Sequence, residues 1–423
     1  MDLKVRRSTL KGAISVSGSK SHTIRAIICA LSAAGTSVIH SPLESADTRA
    51  VLEAAKLFGA GVRELPEAWE IDGVSGSFQN PGKTVNMMNS GTGLRLLTGL
   101  AAIQDFPISF DGDESLRTRK MAPLLEAFAK LGAKYDSSNG MAPFTICGKL
   151  RGAKTTVDGT SSQFLSSLLF ALPQIDGDSE IELEFLLEKP YVGITLDWLK
   201  AAGITVYHTA DMLKWQIPGN QQFKALERVI PADFSTAAFP LVAGMLSGEN
   251  IEIRNLDFND PQGDKAVFEY AEKMGACITR AKELSVNNSG KLTGAEIDLN
   301  STPDALPVMA VAAAFAEGET LLGNVPQARI KETDRIAVMA SELAKLGVKV
   351  KELPDGLLIK GGGIHGGVVE SYNDHRIAMA FAVAGTALPD GEQIIIRNAE
   401  CAKVSYPNFT ADFKKLGADF TEI

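Results

Sequence analysis

The sequence predicts an α/β protein of two similar domains, each built from three copies of one repeat, and three observations lead to that class. The first is a periodic glycine. Amphipathic segments ending in Gly and passing into β-forming residues recur as VLEAAKLFGAGV, LLEAFAKLGAKY, ITLDWLKAAGITV, VFEYAEKMGACIT, ASELAKLGVKV and ADFKKLGADF. Their glycines, Gly59, Gly132, Gly203, Gly275, Gly347 and Gly417, stand 73, 71, 72, 72 and 70 residues apart. Each is placed to take the left-handed conformation that stops a helix before a strand.

The second observation is a polar opening that leads into a strongly apolar segment, once per repeat. The copies begin SGSKSHTIRAIICAL, NSGTGLRLLTGLAAI, GTSSQFLSSLLFAL, ADFSTAAFPLVAGML, STPDALPVMAVAAAFA and YNDHRIAMAFAVAG. Such segments predict helices buried nearly all round, each preceded by small residues able to cap it. The third is size. Three repeats make about 210 residues, an ordinary domain, so six fill the 423-residue chain as two domains with the site expected in the cleft between them. The division falls near PADFSTA at 231 to 237, where the fourth repeat opens.

Composition narrows the function. Forty-two basic against 51 acidic residues give a formal charge of -9, which opposes broad nucleic-acid or membrane-surface binding. MDLKVRRSTLKG has no apolar signal core, and no apolar run reaches the roughly 18 residues a membrane span needs, so a cytoplasmic location is expected. Cys29, Cys147, Cys277 and Cys401 show no C-x-x-C spacing and read as buried free thiols.

The polar openings hold the chemistry, because helix N-termini present unpaired N–H groups and a partial positive charge suited to anions. Gly18-Ser19-Lys20-Ser21 does not satisfy the nucleotide loop G-x-x-x-x-G-K-[ST], since Ser19 separates Gly18 from Lys20. DESLRTRKMAP sets Arg117, Arg119 and Lys120 ahead of a helix, the end the dipole favours least for cations. DGTSSQF offers Ser161, Ser162 and Gln163 as neutral donors, and STPDALP and SYNDHRIAM offer Asp304 and Asp374 as cap or function. In RIKETDR, Lys331 and Arg335 at i and i+4 are expected on one helical face; either they line a solvated turn, or they share an external anion and leave Glu332 free for proton transfer. Together, Lys20, Arg25, Arg119, Lys331, Arg335 and Arg376 form a candidate cationic site in an acidic protein, fitted to small polyanions.

SGSKSHTIRA, NSGTGLR, DGTSSQF, EKPYVGITL, STPDA, RIKETDR, YNDHRIAMA and AKVSYP, in that order over the whole chain, resemble the enolpyruvyl transferases, and within them the branch acting on shikimate 3-phosphate. The resemblance implies six βαβαββ repeats, with a first domain at 19–231 and a second at 1–18 and 232–423. It implies transfer of the enolpyruvyl group of phosphoenolpyruvate to the 5-hydroxyl of shikimate 3-phosphate, with release of phosphate, on the way to chorismate and the aromatic amino acids. No metal or redox cofactor is implied, nor a nucleic-acid or membrane partner, and a monomer is expected. The two substrates bring roughly five to six negative charges, which accounts for the cations.

Residue by residue, the resemblance gives Lys20 contact with both substrates. Ser21, Arg25, Ser161, Ser162, Gln163, Tyr191, Asp304 and Lys331 fall to shikimate 3-phosphate, and Gly91, Arg119, Gln163, Arg335, Arg376 and Lys403 to phosphoenolpyruvate. Asp304 is the expected base, with Glu332 or Lys20 delivering the proton. Four positions depart from the family's pattern: Glu188 replaces a Ser that meets the substrate phosphate, Val404 stands where a Lys is usual, Gln327 replaces an Asn, and Leu96 replaces a common Pro. The sister branch acting on UDP-N-acetylglucosamine has Lys-Asn where this chain has Lys20-Ser21, and a Cys in the loop that here carries Arg119. A non-catalytic paralogue binding a phosphorylated metabolite and an RNA-end-processing enzyme of related repeats are the readings from other classes; the acidic composition opposes the RNA reading.

Overall fold

The computed structural model describes residues 1–281 and 283–423. The chain divides into a continuous domain, Gly18–Pro231, and a split domain, Met1–Ser17 with Ala232–Ile423, each with its own apolar core.

One supersecondary pattern recurs through both. In the clearest copy, strand Val85–Asn86 leads through helix Gly91–Ala102 to the parallel strand Ile108–Asp111, then through helix Ala122–Lys130 to the antiparallel pair Lys134–Ser137 and Phe144–Cys147. That is β-α-β-α-β-β, and the described residues form six small sheets with the corresponding strand order, three of them following this path without interruption. The parallel step requires a crossover connection, which the apolar helix supplies, while the last two strands need only a turn. Three sheets are completed by distant segments. Phe223–Lys224 and Glu227–Val229 run parallel to Ala33–His40, and Leu3–Arg6 is sandwiched antiparallel between Gln393–Arg397 and Asp419–Glu422. Residues 1–17 thus contribute two strands to the split domain, since Leu10–Ser15 pairs with Gly248–Arg254.

All six repeat glycines stop their helices as the period predicts, at φ of 99°, 103°, 78°, 92°, 87° and 102°. Each closes with the same pair of bonds. At Gly59 its own N–H donates to the Lys56 carbonyl and the Ala60 N–H to the Ala55 carbonyl, and the other five repeat this spacing.

The apolar helices are buried as expected. Every residue of helix Lys20–Ser32 from His22 onward is buried, and in helix Leu306–Phe315 only the last residue is not. Helix Gly91–Ala102 packs on Lys20–Ser32 and on Ser162–Ala171 in one domain, and Phe234–Ser247, Leu306–Phe315 and His375–Gly385 pack on one another in the other. At Gly99 a side chain would lie 2.5 Å from the Ser167 carbonyl, so this glycine sets how closely two of them approach.

The expected caps are only partly present. Ser161, Asp233 and Asp374 accept a backbone N–H at their helix starts; Ser19 and Ser90 make no side-chain cap, and Leu306 follows the 3₁₀ turn Pro303–Ala305. Among the described residues no helix is long and apolar enough to cross a membrane.

Candidate active site

In the continuous domain, Lys20 is the first residue of its helix, where a cation is disfavoured by the helix dipole. Asp47 compensates: its Oδ2 accepts a hydrogen bond from Lys20 Nζ at 3.0 Å, with the two side chains 15% and 5% exposed. Ser21 follows in the same turn and lends its carbonyl to Arg25 Nη1 at 3.0 Å. Arg25 is buried and also donates from Nε to Thr195 Oγ1 at 2.8 Å and from Nη2 to the Tyr191 carbonyl at 3.2 Å, bracing its helix against Lys189–Ala201. Burial pushes Arg25 down to about 10, still charged at neutral pH, and three bonds leave part of its five-donor fork for a ligand.

Ser161 caps the next helix, its Oγ accepting from the Gln163 N–H at 3.3 Å. Gln163 Oε1 accepts from Arg95 Nη1 at 2.6 Å, and Arg95 lies over the Phe164 ring. Ser162 donates from Oγ at 2.9 Å and from its N–H at 3.4 Å to one oxygen of Glu188. Of the three cations in DESLRTRK, Arg117 pairs at the surface with Asp111, Lys120 is exposed, and Arg119 turns inward. Its Nη2 donates to Asn89 Oδ1 at 2.7 Å and Ser115 Oγ at 3.2 Å, and its Nη1 to the Asn89 carbonyl at 3.2 Å. A side chain on Gly91 would come within 2.6 Å of Arg119 Nη1, so Gly91 makes room first for this guanidinium.

In the split domain, Asp304 is the centre of an ion cluster. Its Oδ1 lies 2.8 Å from Arg335 Nη1 and 3.8 Å from Lys331 Nζ, and its Oδ2 lies 3.1 Å from Arg376 Nη2. Arg335, 1% exposed, also meets Glu332 at 2.6 Å and Asp374 at 2.8 and 3.2 Å. Asp374 in turn caps its helix through the Arg376 N–H at 2.9 Å and accepts from Thr333 Oγ1 at 3.2 Å. Burial alone would raise the Asp304 carboxyl, but Arg376, Lys331 and Arg335 outweigh it and hold Asp304 below the usual carboxylate range. Burial likewise works against the Arg335 charge, yet Asp374, Glu332 and Asp304 hold its proton more tightly than in water.

One expectation is corrected here. Lys331 and Arg335 do not share a helical face, because the helix begins only at Arg335, with Asp334 as its cap accepting from the Ala337 N–H at 3.0 Å. They are joined instead through Asp304. Lys403 is exposed on the 3₁₀ turn Ala399–Val404, and among the described residues no ion pair ties it to this cluster. Gln327 is buried, donating to the Asn300 carbonyl at 2.8 Å, and its own Oε1 has no hydrogen-bond partner among the described residues.

Asp47, Asn89, Arg95 and Thr195 have no role assigned from the sequence, although each holds a candidate residue in place. All four are distant in the chain from what they hold; Asn89 and Arg95 stand in the segment NSGTGLR and Thr195 in EKPYVGITL, and Asp47 is an acid in a helix's first turn. Among the described residues no group of three or more His, Cys, Asp or Glu is placed to hold a metal ion. Each domain thus gathers cations and neutral hydrogen-bond donors, and the split domain adds the carboxylates of Asp304, Glu332 and Asp374 around Arg335.

The EPSP synthase (3-phosphoshikimate 1-carboxyvinyltransferase) family model matches residues 5–413 of the chain. The 3-phosphoshikimate 1-carboxyvinyltransferases of Ruminiclostridium cellulolyticum and Acetivibrio thermocellus are 45% and 44% identical to it, across 99% and 100% of this chain and 99% of each relative. Among solved structures, an EPSP synthase from Acinetobacter baumannii superposes with a TM-score of 0.82 at 28% identity, covering all of both chains. The enolpyruvyl transferase NikO from Streptomyces tendae has a TM-score of 0.79 at 18% identity over 99% of this chain and 98% of its own, a likeness of fold alone.

Proposed function

This chain belongs to the EPSP synthase (3-phosphoshikimate 1-carboxyvinyltransferase) family, and on that premise we propose how it carries the enolpyruvyl group of phosphoenolpyruvate to the 5-hydroxyl of shikimate 3-phosphate with release of phosphate, a step of aromatic amino-acid biosynthesis. Ser161, Ser162 and Lys331 receive the acceptor's phosphate, Ser21 and Arg25 its carboxylate, and Gln163 and Tyr191 its ring. Arg119, Arg335 and Arg376 receive phosphoenolpyruvate, with Gly91 leaving space and Lys403 approaching from its turn. Lys20 meets both substrates.

In the reaction the acceptor O5–H loses its proton to Asp304 as the oxygen bonds to C2 of phosphoenolpyruvate. The C3 methylene takes a proton from Glu332 or Lys20, giving a tetrahedral intermediate. Breaking its C–O bond to phosphate, with loss of a proton from C3, then restores the enol ether.

The observation that carries this division is the ion cluster around Asp304. With three cations drawn onto one carboxylate, Asp304 is ionised but weakly basic. Substrate anions that take over part of Lys331, Arg335 and Arg376 weaken that hold, so the base gains strength only when the substrates are in place. We also take the enzyme to be a cytoplasmic monomer acting on small molecules alone.

The test is phosphate release from phosphoenolpyruvate with shikimate 3-phosphate or with UDP-N-acetylglucosamine as acceptor, on wild type and Lys20→Ala. Turnover is expected with shikimate 3-phosphate only, and lost in the variant. Release with UDP-N-acetylglucosamine alone would move the chain to the sister activity, and release with neither would make it a binding paralogue.

A further inference from the structure

We propose that Glu188 is a resident anion at the acceptor-phosphate subsite, occupying the Ser162 donors until the phosphate of shikimate 3-phosphate displaces it, so that Glu188 sets the affinity for the phosphorylated acceptor. This rests on the reading above in which Ser161 and Ser162 receive that phosphate.

Glu188 is 2% exposed, and its Oε2 accepts both the hydroxyl and the backbone N–H of Ser162. Ser162 is the first residue of the helix Ser162–Ala171, so this carboxylate sits where a helix start favours an anion. Its own helix does not hold it. Glu188 is the N-cap of Lys189–Ala201 and makes no side-chain cap there, and Glu is not among the residue types that ordinarily cap a helix start. Its backbone is left-handed, at φ 55° and ψ 37°, a conformation that Asn or Gly adopts more readily than Glu. The residue type is therefore not explained by the turn, whereas the side chain does reach across to the neighbouring helix.

Two ways of avoiding conflict with a phosphate are not used in this structure. Glu188 does not turn out to solvent, and Lys189 is exposed with no ion pair to it among the described residues. Arg25 is the nearby cation whose charge Glu188 supports. A phosphate monoester carries about two charges and three acceptor oxygens, against one charge on the carboxylate. It is the stronger occupant of the same donors, but the two anions cannot share them, so binding must swing the longer, flexible Glu188 chain away. A Ser at this position would add a donor instead of an obstacle.

The experiment is calorimetric binding of shikimate 3-phosphate, and of unphosphorylated shikimate, to wild type, Glu188→Ser and Glu188→Gln, with turnover measured on the same preparations. Glu188→Ser is expected to bind shikimate 3-phosphate about tenfold more tightly, as relief of a like-charge contact allows, with shikimate binding changed by less than about twofold. Glu188→Gln keeps the side chain's size and its bond to Ser162 while removing the charge, so it is expected to fall between the two and guards against a folding defect in the Ser variant. Unchanged or weaker binding of shikimate 3-phosphate by both variants overturns the proposal, as does equal tightening toward both ligands. If wild type itself binds no shikimate 3-phosphate and gives no turnover, the functional reading falls and this proposal with it; if wild type binds and turns over, only the role of Glu188 is in question.

Discussion

The two candidate clusters hold their cations with different sets of partners. In the split domain Arg335 is ringed by Asp304, Glu332 and Asp374, and Arg376 and Lys331 lean on the same Asp304, so three cations face three carboxylates. In the continuous domain Arg119 is held by an amide, a hydroxyl and a carbonyl, and Arg25 by a hydroxyl and two carbonyls, with Asp47 on Lys20. Neutral donors and acceptors fix a guanidinium without cancelling its charge. The partners named in the continuous domain are thus mostly neutral, with Asp47 on Lys20 and Glu188 supporting the Arg25 charge, while the split domain's cluster is a network of three cations and three carboxylates.

The largest expected effect that would break this comparison is on stability. Arg335→Ala strips the common partner from three carboxylates, and removing one member of a buried ion network costs about 3–5 kcal/mol. Arg119→Ala breaks neutral hydrogen bonds, each worth about 1 kcal/mol, and its main consequence is a raised KM for phosphoenolpyruvate. Urea denaturation of both variants checks this, and equal losses would mean that Arg119 is as deeply embedded in ion pairing as Arg335.

A smaller effect separates the domains by pH. Asp304 is held below the ordinary carboxylate range, so the stability contributed by its ion pairs is complete above about pH 4, the unfolded value. It is lost as the pH falls from there through the depressed folded value. The melting temperature of Asp304→Asn is thus expected to lie furthest below wild type near neutrality, with the gap narrowing below about pH 4. A gap that stays constant from neutral to acid pH would show that the ion pairs add no net stability.

What was legible in the sequence follows the same divide between periodic and unique features. The six glycines were readable because each must solve the same steric problem, a helix that stops and turns into a strand, and the same two hydrogen bonds recur at every copy. The apolar helices were readable because burial on all sides leaves no polar stripe. The caps were harder. Ser19 and Ser90 have the right residue type, but their side chains do not meet the helix N–H groups.

At the site, Asp304, Lys331, Glu332, Arg335 and Arg376 were nameable from residue type and come together in the structure, yet their geometry was misread at KETDR. A run with i, i+4 cations can be helical throughout or, as here, begin its helix at the Arg, and the choice depends on Asp334 capping Ala337. The pairings of Asp47 with Lys20 and of Asn89 with Arg119, and the zipper of Leu3–Arg6 onto Gln393–Arg397, are long-range contacts whose partners cannot be read from neighbouring residues. Glu188 was visible as a departure from the family's pattern, but its bond to Ser162 was not.

The central claim, that Asp304 in the split domain's cluster is the base while the continuous domain's donors, joined by Lys331, hold the acceptor, is tested most directly by separating affinity from turnover in Asp304→Asn. Shikimate 3-phosphate binding by calorimetry is measured beside phosphate release on one preparation. The expected result is a turnover lower by roughly 10³-fold, as for loss of a general base, with affinity for shikimate 3-phosphate weakened by less than about tenfold, as for one hydrogen bond. Turnover within a few-fold of wild type, or affinity and turnover falling together by the same factor, would contradict it.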